Sequence, residues 1–247
     1  MEVNSLGTKN STSKNFKNGN IMKKENLIVF DIDDTLTKSE NQHQEAYVEA
    51  MKSFGITKVN QDWKSYKNMT DSYILKRNYE VNFNTAFSFS FIPEFEEKMT
   101  ELLLSLTKTE EIQGAGEIVD FFMKETDYAI CFATGSLLKP ALIKLEQAGI
   151  NFVPNLVEAS NNLFTREEIV NSAIQKAKSY FQVEEFKNII SVGDGIWDLR
   201  TAKNLGVNFL GIRNKNLSDF KEEGIKSHIE DWTRFNFQKV KTELQII

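Results

Sequence analysis

The stretch LIVFDIDDTL, residues 27–36, places an apolar run directly before three carboxylates. A continuous apolar run is typical of a strand that is buried on both faces, whereas buried carboxylates are costly unless a partner compensates their charge. The apolar run can be buried while the carboxylates keep polar partners if the strand ends at a polar edge of the sheet. In open α/β sheets, ligands bind at the carboxyl ends of the strands. We therefore predict that Asp31, Asp33 and Asp34 follow a core strand at such a ligand-binding edge.

Two further segments have the same form, an apolar run that ends in polar residues: YAICFATGS at 128–136 and NIISVGDGIWD at 188–198. A fourth apolar run, VNFLGI, follows at 207–212. Apolar residues at helical spacing fill the intervening segments, including 137–148 and 166–181. Strands that alternate with helices predict an α/β fold with a doubly wound, Rossmann-like parallel sheet.

A long segment separates the first two predicted strands, and its apolar residues recur at helical spacing. A simple strand-to-helix connection takes only a few residues, so this segment predicts an inserted α-helical cap subdomain. We divide the chain into a core at 26–36 and 113–247 and a cap at 37–112. Residues 1–25, rich in Asn, Ser, Lys and Gly, are predicted to be a disordered leader.

Charge and composition argue against several classes of partner. The formal net charge is −5 and the pI is about 5.3, which gives no general attraction to nucleic acid or to an anionic membrane. No apolar run approaches the ~18 residues that a membrane helix needs. The single cysteine, Cys131, cannot form an internal disulfide, as expected for a reduced compartment. We expect a cytoplasmic protein that is a monomer by default.

Polar side chains end each of the three main apolar runs: Asp31 and Asp33, then Thr134 and Ser136, then Asp194 and Asp198. Parallel strands would bring them to one edge. Clustered carboxylates repel one another, and hard oxygen ligands without a nearby His or Cys favour Mg²⁺. A metal held by a few carboxylates keeps positions open for a phosphate oxygen and water, and a neighbouring carboxylate can attack phosphorus.

With these motifs in order, the chain resembles the haloacid dehalogenase-like superfamily of phosphohydrolases. Asp31, Asp33 and Thr35 match its Asp-x-Asp-x-Thr motif, and Thr134 matches its strand-ending Thr or Ser. The fourth family motif, Gly-Asp-x-x-x-Asp, is matched in SVGDGIWD. The resemblance covers about residues 25–215, with the insert at the position of the type-1 cap of the family.

The resemblance implies a role for each matched residue. Asp31 would attack phosphorus, and Asp33 would protonate the leaving group and then activate water. Mg²⁺ would be bound by the Asp31 side chain, the Asp33 backbone carbonyl and Asp194, with Asp198 as a ligand or a support. Residues 134–136, Thr134 with Gly135 and Ser136, would bind the phosphoryl oxygens. A role for Asp198 as a helix cap is the alternative.

The third family motif departs from the common pattern: the family usually has a lysine near the start of the helix before the fourth motif, often as Lys-Pro, and no such dipeptide occurs in that region. Thr165 and Glu168 have capping-box spacing, so Arg166 lies at the predicted start of a helix and could supply the cation. Lys176 and Lys178 lie further along this helix and remain alternatives.

Three cap residues are candidate substrate contacts. His43 lies where capped relatives often carry histidine, although a surface or hinge-packing role is also open. Thr70 and Asp71 begin a predicted helix, so either could cap that helix instead of contacting substrate.

The leading hypothesis is a Mg²⁺-dependent phosphomonoester hydrolase that acts on a small phosphorylated metabolite through an aspartyl-phosphate. A phosphomutase of the same family, similar to beta-phosphoglucomutase, needs the same four aspartates and is the alternative. A non-catalytic ligand-binding protein on the same scaffold is a third class. Dehalogenase and phosphonate-cleaving activities are disfavoured because both Asp33 and the metal-binding motif are present.

Overall fold

The computed structural model describes residues 23–246. The strands are β1 (Asn26–Phe30), β2 (Thr37–Lys38), β3 (Glu110–Glu111), β4 (Tyr128–Ala133), β5 (Val157–Glu158), β6 (Ile189–Gly193), β7 (Asn208–Ile212) and β8 (Ser227–Ile229). The helices are α1 (Glu40–Ser53), α2 (Asp71–Phe83), α3 (Ile92–Ser105), α4 (Ala115–Glu125), α5 (Leu138–Gln147), α6 (Arg166–Phe181), α7 (Ile196–Leu205), α8 (Leu217–Glu222) and α9 (Phe237–Leu244). Among residues 23–246, no helix combines the length and apolar character that crossing a bilayer requires.

Six of the strands form one parallel sheet in the order β5-β4-β1-β6-β7-β8. This arrangement, with helices on both faces, confirms the predicted doubly wound α/β fold. The strand order reverses around β1, which lies between β4 and β6. The carboxyl end of β1 is therefore at a topological switch point, the usual place for a ligand in such a sheet.

Strand β1 is buried along its whole length, as its apolar run predicts. Ile28 and Phe30 pack on one side of the sheet, in a cluster that includes Trp232. Leu27 and Val29 pack on the other side, against α6. Full burial of such a side chain contributes about 1.5–3 kcal/mol, so both apolar layers hold β1 at the centre of the fold.

Helix α6 begins at the predicted residue. Thr165 precedes it and accepts a hydrogen bond from the Glu168 N–H, while the Glu168 carboxylate accepts one from the Thr165 N–H. This capping box satisfies N–H groups that a helix start leaves unpaired. It fixes Arg166 at the first position of the helix.

The cap is joined to the core through a short ribbon. Strands β2 and β3 are antiparallel, with Thr37 opposite Glu111 and Lys38 opposite Glu110. Helices α1, α2 and α3 lie between these strands and share their own apolar cluster, which includes Met51 and Phe95. A helical cap is therefore present, while the division at 37–112 stays a prediction from the sequence.

The predicted disordered leader needs one correction. Residues 1–22 lie outside the described part of the chain. Lys24, however, donates hydrogen bonds from Nζ to the carbonyls of Phe122, Met123 and Thr126, and the Glu25 N–H donates to the Asp127 carbonyl. These contacts hold Lys24 and Glu25 against the core, so the leader cannot extend to residue 25.

Candidate active site

The ends of three neighbouring strands place the predicted polar residues side by side. Asp31 follows β1, Thr134 follows β4 and Asp194 follows β6, and all three side chains are buried. The cap covers this edge, and the cleft between them has a cavity volume of about 90 Å³. The structure thus assembles the three segments, which are far apart in sequence, into one site.

The Asp31 carboxylate is held by two donors. Thr35 Oγ1 donates to Oδ2 at 3.0 Å, and an Arg166 terminal nitrogen donates to Oδ1 at 2.9 Å. Thr35 is itself fixed, since its carbonyl accepts a 2.9 Å hydrogen bond from the Trp232 indole. Burial raises the pKa of Asp31, and the Arg166 charge opposes that shift. The site therefore presents Asp31 in one orientation and keeps a cation beside it.

Asp31, Asp194 and Asp198 form an acidic triad that could hold a metal ion. Each offers an oxygen within 4.8 Å of the others. Asp194 Oδ2 is buried without a hydrogen-bond partner among the described residues, whereas Asp198 Oδ2 accepts from the Gly195 N–H at 3.1 Å. In the described part of the chain, Asp194 Oδ2 makes no hydrogen bond and has only a 3.5 Å ion pair with Lys215 Nζ, so its place in an all-oxygen cluster fits a hard divalent cation.

Electrostatics in the triad support this fit. Burial raises the pKa of Asp194 well above its ordinary value, and the charges of Asp31 and Asp198 add to the shift. Burial likewise raises the pKa of Asp198 to about 7, although Arg166 opposes it. Carboxyl groups that resist ionisation in this way gain most from a divalent cation, because the cation compensates the charge that burial penalises.

Arg166 occupies the position of the third-motif cation. Besides Asp31, its terminal nitrogen lies 3.3 Å from Asp198, and its Nε donates to the Met69 carbonyl at 3.0 Å. Burial lowers the pKa of Arg166, but the two carboxylates outweigh that effect and the net shift is upward. The side chain thus joins Asp31, Asp198 and a cap loop.

The two alternative lysines lie elsewhere. Lys176 pairs with Glu158 at 3.1 Å, and Lys178 pairs with Glu185 at 2.7 Å. Neither pair includes a carboxylate of the acidic edge, and both lysines lie further along α6 than Arg166. The structure therefore brings only Arg166, of these three candidates, to the site.

The loop after β4 is tightly fitted between the sheet edge and the cap. The Ser136 N–H donates to Thr134 Oγ1 at 3.0 Å within the loop, and Gly135 and Ser136 both line the cleft, so their predicted contact with a phosphoryl group stays a prediction. A Cβ on Gly135 would lie 2.6 Å from the Met69 carbonyl oxygen, which only glycine avoids. Thr134 uses an acceptor lone pair in this contact, and its hydroxyl hydrogen is left to donate to an incoming oxygen.

Thr70 lines the cleft and also caps α2, as the structural alternative predicts. Its Oγ1 accepts from the Tyr73 N–H at 3.4 Å and donates to the Phe164 carbonyl at 2.8 Å. Both contacts use the hydroxyl for local structure. Thr70 therefore serves mainly to seat the start of α2 against the core.

Asp71 and His43 connect the cap to the core. Asp71 Oδ1 lies 2.9 Å from His43 Nε2, and Asp71 Oδ2 accepts from the Leu137 N–H at 2.9 Å, just before α5. His43 Nδ1 lies 3.4 Å from Ser136 Oγ. Both residues line the cleft, but their polar atoms mainly join α1, α2 and the core.

Asp34 lies beside the site and has no predicted chemistry. Its φ of 55° is in the left-handed region, which glycine adopts freely and which Asp tolerates better than most residues. Its carboxylate pairs with Lys215 at 3.1 Å. Lys215 Nζ also lies 3.5 Å from Asp194, so this surface lysine adds positive charge at the outer side of the triad.

One charged residue of the site was missed in the sequence. Lys144, on α5, is fully buried, and its Nζ lies 2.6 and 2.7 Å from the two carboxylate oxygens of Asp33. Burial raises the pKa of Asp33, but the Lys144 charge, the neighbouring His43 and hydrogen bonds from Lys144 and Ser39 together outweigh burial, and the net pKa falls below the ordinary value. A signal does exist: Leu137, Ala141 and Leu145 recur four residues apart, and a lysine one residue before Leu145 falls on the same apolar face.

Fold and site together define an α/β protein with a helical cap over a sheet edge that carries a buried acidic triad. In agreement, a family model described as haloacid dehalogenase-like hydrolase matches residues 28–212, well over half of the chain. The chain belongs to this family. The match spans the cap and the edge that carries Asp31, Thr134, Arg166 and Asp194.

Solved structures with the same fold include a HAD hydrolase of family IA, variant 3, from Entamoeba histolytica. It is 17% identical, with a TM-score of 0.67, and the match covers 89% of this chain and 99% of that one. A hydrolase from Pseudomonas syringae is 19% identical, with a TM-score of 0.61 and coverage of 83% and 94%. CbbY from Rhodobacter sphaeroides, solved with phosphate, is 15% identical, with a TM-score of 0.55 and coverage of 89% and 99%. No protein in the curated set matches the chain.

Proposed function

We propose that this protein is a Mg²⁺-dependent phosphomonoester hydrolase that acts on a small phosphorylated metabolite. The observation that carries the proposal is the Asp31 carboxylate, which Thr35 and Arg166 hold at the edge of a buried acidic triad. Such a carboxylate can attack phosphorus when a cation compensates the charges of both reactants. The related CbbY structure was solved with phosphate, the product that this reaction would release.

The first half of the reaction transfers the phosphoryl group to Asp31. An Asp31 oxygen forms a bond to phosphorus while the bond to the leaving oxygen breaks, and Asp33 supplies a proton to that oxygen. Mg²⁺, bound by Asp31, the Asp33 carbonyl and Asp194, would compensate charge on the phosphoryl oxygens. Arg166 and Thr134 would orient the same oxygens, since both lie beside Asp31 on neighbouring elements.

The second half hydrolyses the aspartyl-phosphate. Water attacks phosphorus, Asp33 takes up a proton from the water, and the bond from phosphorus to the Asp31 oxygen breaks. Phosphate and the free carboxylate are the products. The cap borders the leaving-group side of the cleft, where Tyr47 and Trp63 form part of its lining. The proposed substrate is a small one.

The test is release of inorganic phosphate from p-nitrophenyl phosphate and from a panel of phosphorylated metabolites. We expect turnover that is lost with EDTA and restored by Mg²⁺. Asp31→Asn should abolish turnover, whereas Asp62→Asn, which alters an exposed cap carboxylate, should keep it. Full activity of Asp31→Asn would refute the proposal.

The same assays separate hydrolase from mutase. A phosphomutase would require a sugar bisphosphate and convert a sugar phosphate into its isomer with little phosphate release. Stoichiometric phosphate release without an isomerised product would favour the hydrolase.

A further inference from the structure

Lys144 is the most deeply buried charged side chain near the site, with an exposed fraction of 0%. Its Nζ contacts both oxygens of Asp33 and lies 3.0 Å from Ser136 Oγ. Burying an ammonium group is costly unless it is paired and hydrogen-bonded. The contacts with Asp33 and Ser136 compensate the desolvation cost of the buried ammonium group, and both partners lie in the loops that follow β1 and β4.

The pairing fixes where Asp33 can point. Lys144 engages both carboxylate oxygens, and the Ser39 hydroxyl donates to Oδ1 as well. Asp33 nevertheless borders the cleft, since 22% of its side chain is exposed. The carboxylate is therefore held from behind by Lys144 while one side stays open to the substrate.

The same lysine is connected to the cap. Lys144 Nζ lies 3.2 Å from His43 Nδ1, and His43 Nε2 lies 2.9 Å from Asp71 Oδ1. An ammonium group only donates, so Nδ1 must accept and Nε2 must carry the proton that is donated to Asp71. His43 and Asp71 belong to the cap helices α1 and α2. The contact between Lys144 and Asp33 is thus built into the docked position of the cap.

We propose that Lys144 is a positioning residue that holds Asp33 where it can activate the water that hydrolyses the aspartyl-phosphate. This proposal rests on the proposed hydrolase function. Lys144 does not line the cleft itself, so it acts through its partners, and Asp33, whose two oxygens it contacts at 2.6 and 2.7 Å, is held more closely than Ser136 or His43. Positioning of an acid/base group of this kind is worth about 10²–10⁴-fold in rate when lost completely, and a misplaced group loses part of that.

The test uses Lys144→Met and p-nitrophenyl phosphate in rapid-mixing experiments with Mg²⁺. p-Nitrophenolate leaves without a proton, so attack by Asp31 should proceed normally while hydrolysis of the intermediate slows. We expect a burst of about one p-nitrophenolate per site, then a kcat reduced by about 10–100-fold. KM should fall in parallel and leave kcat/KM within about threefold of the unmutated protein.

A merely structural role gives a different pattern. Partial misfolding would reduce the burst, kcat and kcat/KM in proportion and leave KM unchanged, and this result would overturn the proposal. A kcat within twofold of the unmutated protein would also overturn it. Lys139→Met, on the same helix but exposed and paired with Glu97, is the matched control and should change kcat by less than twofold.

A second comparison covers the case in which Lys144→Met does not fold. Asp33→Asn and the double variant Asp33→Asn/Lys144→Met bury no unpaired carboxylate at this position. If Lys144 acts through Asp33, the two variants should have the same kcat within twofold. A tenfold further loss in the double variant would overturn the proposal. Failure of the proposed function is distinct, because the unmutated protein would then show no Mg²⁺-dependent turnover.

Discussion

Replacing Arg166 by methionine removes the cation beside Asp31 and keeps the length of the side chain. The guanidinium makes a 2.9 Å hydrogen bond to Asp31, a 3.3 Å ion pair with Asp198 and a 3.0 Å hydrogen bond to the Met69 carbonyl. Charged hydrogen bonds contribute about 1.5–3 kcal/mol each. The first two contacts would therefore supply about 3–6 kcal/mol if nothing compensated their loss.

Compensation is expected, because the carboxylates can take up a proton or hold a metal more tightly when Arg166 is absent. We expect a net loss of about 3–4 kcal/mol in transition-state stabilisation, which corresponds to a 10²–10³-fold lower kcat/KM. Arg166→Lys keeps the charge, but the lysine side chain is shorter and its single ammonium group cannot donate to both Asp31 and the Met69 carbonyl. Its kcat/KM should fall by about tenfold.

The assay is steady-state hydrolysis of p-nitrophenyl phosphate at saturating Mg²⁺, with melting temperature measured on the same samples. Arg77→Met is the matched control, because Arg77 is an exposed arginine on α2 that pairs with Glu80 at 3.8 Å. It should change kcat/KM by less than twofold. If Arg166→Met stays within threefold of the unmutated protein, the guanidinium is not part of the phosphoryl site and the reasoning fails.

Three further predictions concern the metal, the cap and the alternative cation. Burial raises the pKa of Asp194 and Asp198, so the metal-free protein has their full stabilising contribution below about pH 4. It loses the Asp198 contribution as pH rises through about 7, and the Asp194 contribution is likewise lost on the alkaline side. Mg²⁺ should therefore raise the melting temperature more at pH 8 than at pH 5.5, and equal increments would contradict this expectation. Gly135→Ala places a methyl group 2.6 Å from the Met69 carbonyl, so scanning calorimetry should show a loss of about 1–3 kcal/mol together with a lower kcat/KM. Lys176→Met should leave kcat/KM within twofold, since this half-exposed lysine pairs with Glu158. A tenfold loss would show instead that Lys176 contributes the third-motif cation.

The catalytic edge could be predicted because its signals are local. The apolar residues of β1 come directly before Asp31 and Asp33 in the sequence. A buried strand and unpaired carboxylates are compatible only if the carboxylates lie at the end of that strand. Arg166 could be placed for the same reason, since Thr165 and Glu168 define the start of α6 within four residues. The two edge strands of the sheet, β5 and β8, could not be predicted from the sequence. Strands β5 and β8 have two and three residues, too few to show a hydrophobic period.

Lys144 and Asp71 show what local signals cannot supply. A lysine within a helix is usually solvated, and only the path of α5 past the edge of β1 makes Lys144 a partner of Asp33. The sequence allows either Thr70 or Asp71 to cap α2. In the structure Thr70 caps the helix, and Asp71 contacts both His43 and the N–H of Leu137, just before α5. Both roles depend on how the cap is seated, which is a property of tertiary structure.

The β2–β3 ribbon has a consequence for the history of such enzymes. Thr37 lies opposite Glu111 and Lys38 opposite Glu110, so the chain leaves the core and returns to it about 5 Å apart. An insertion whose two ends are neighbours can be lengthened, shortened or exchanged without moving β1. Selection can therefore redesign the parts of the cap that do not touch the core, whereas a cap grafted at this ribbon would have to keep the contacts that His43, Asp71 and Met69 make with the core.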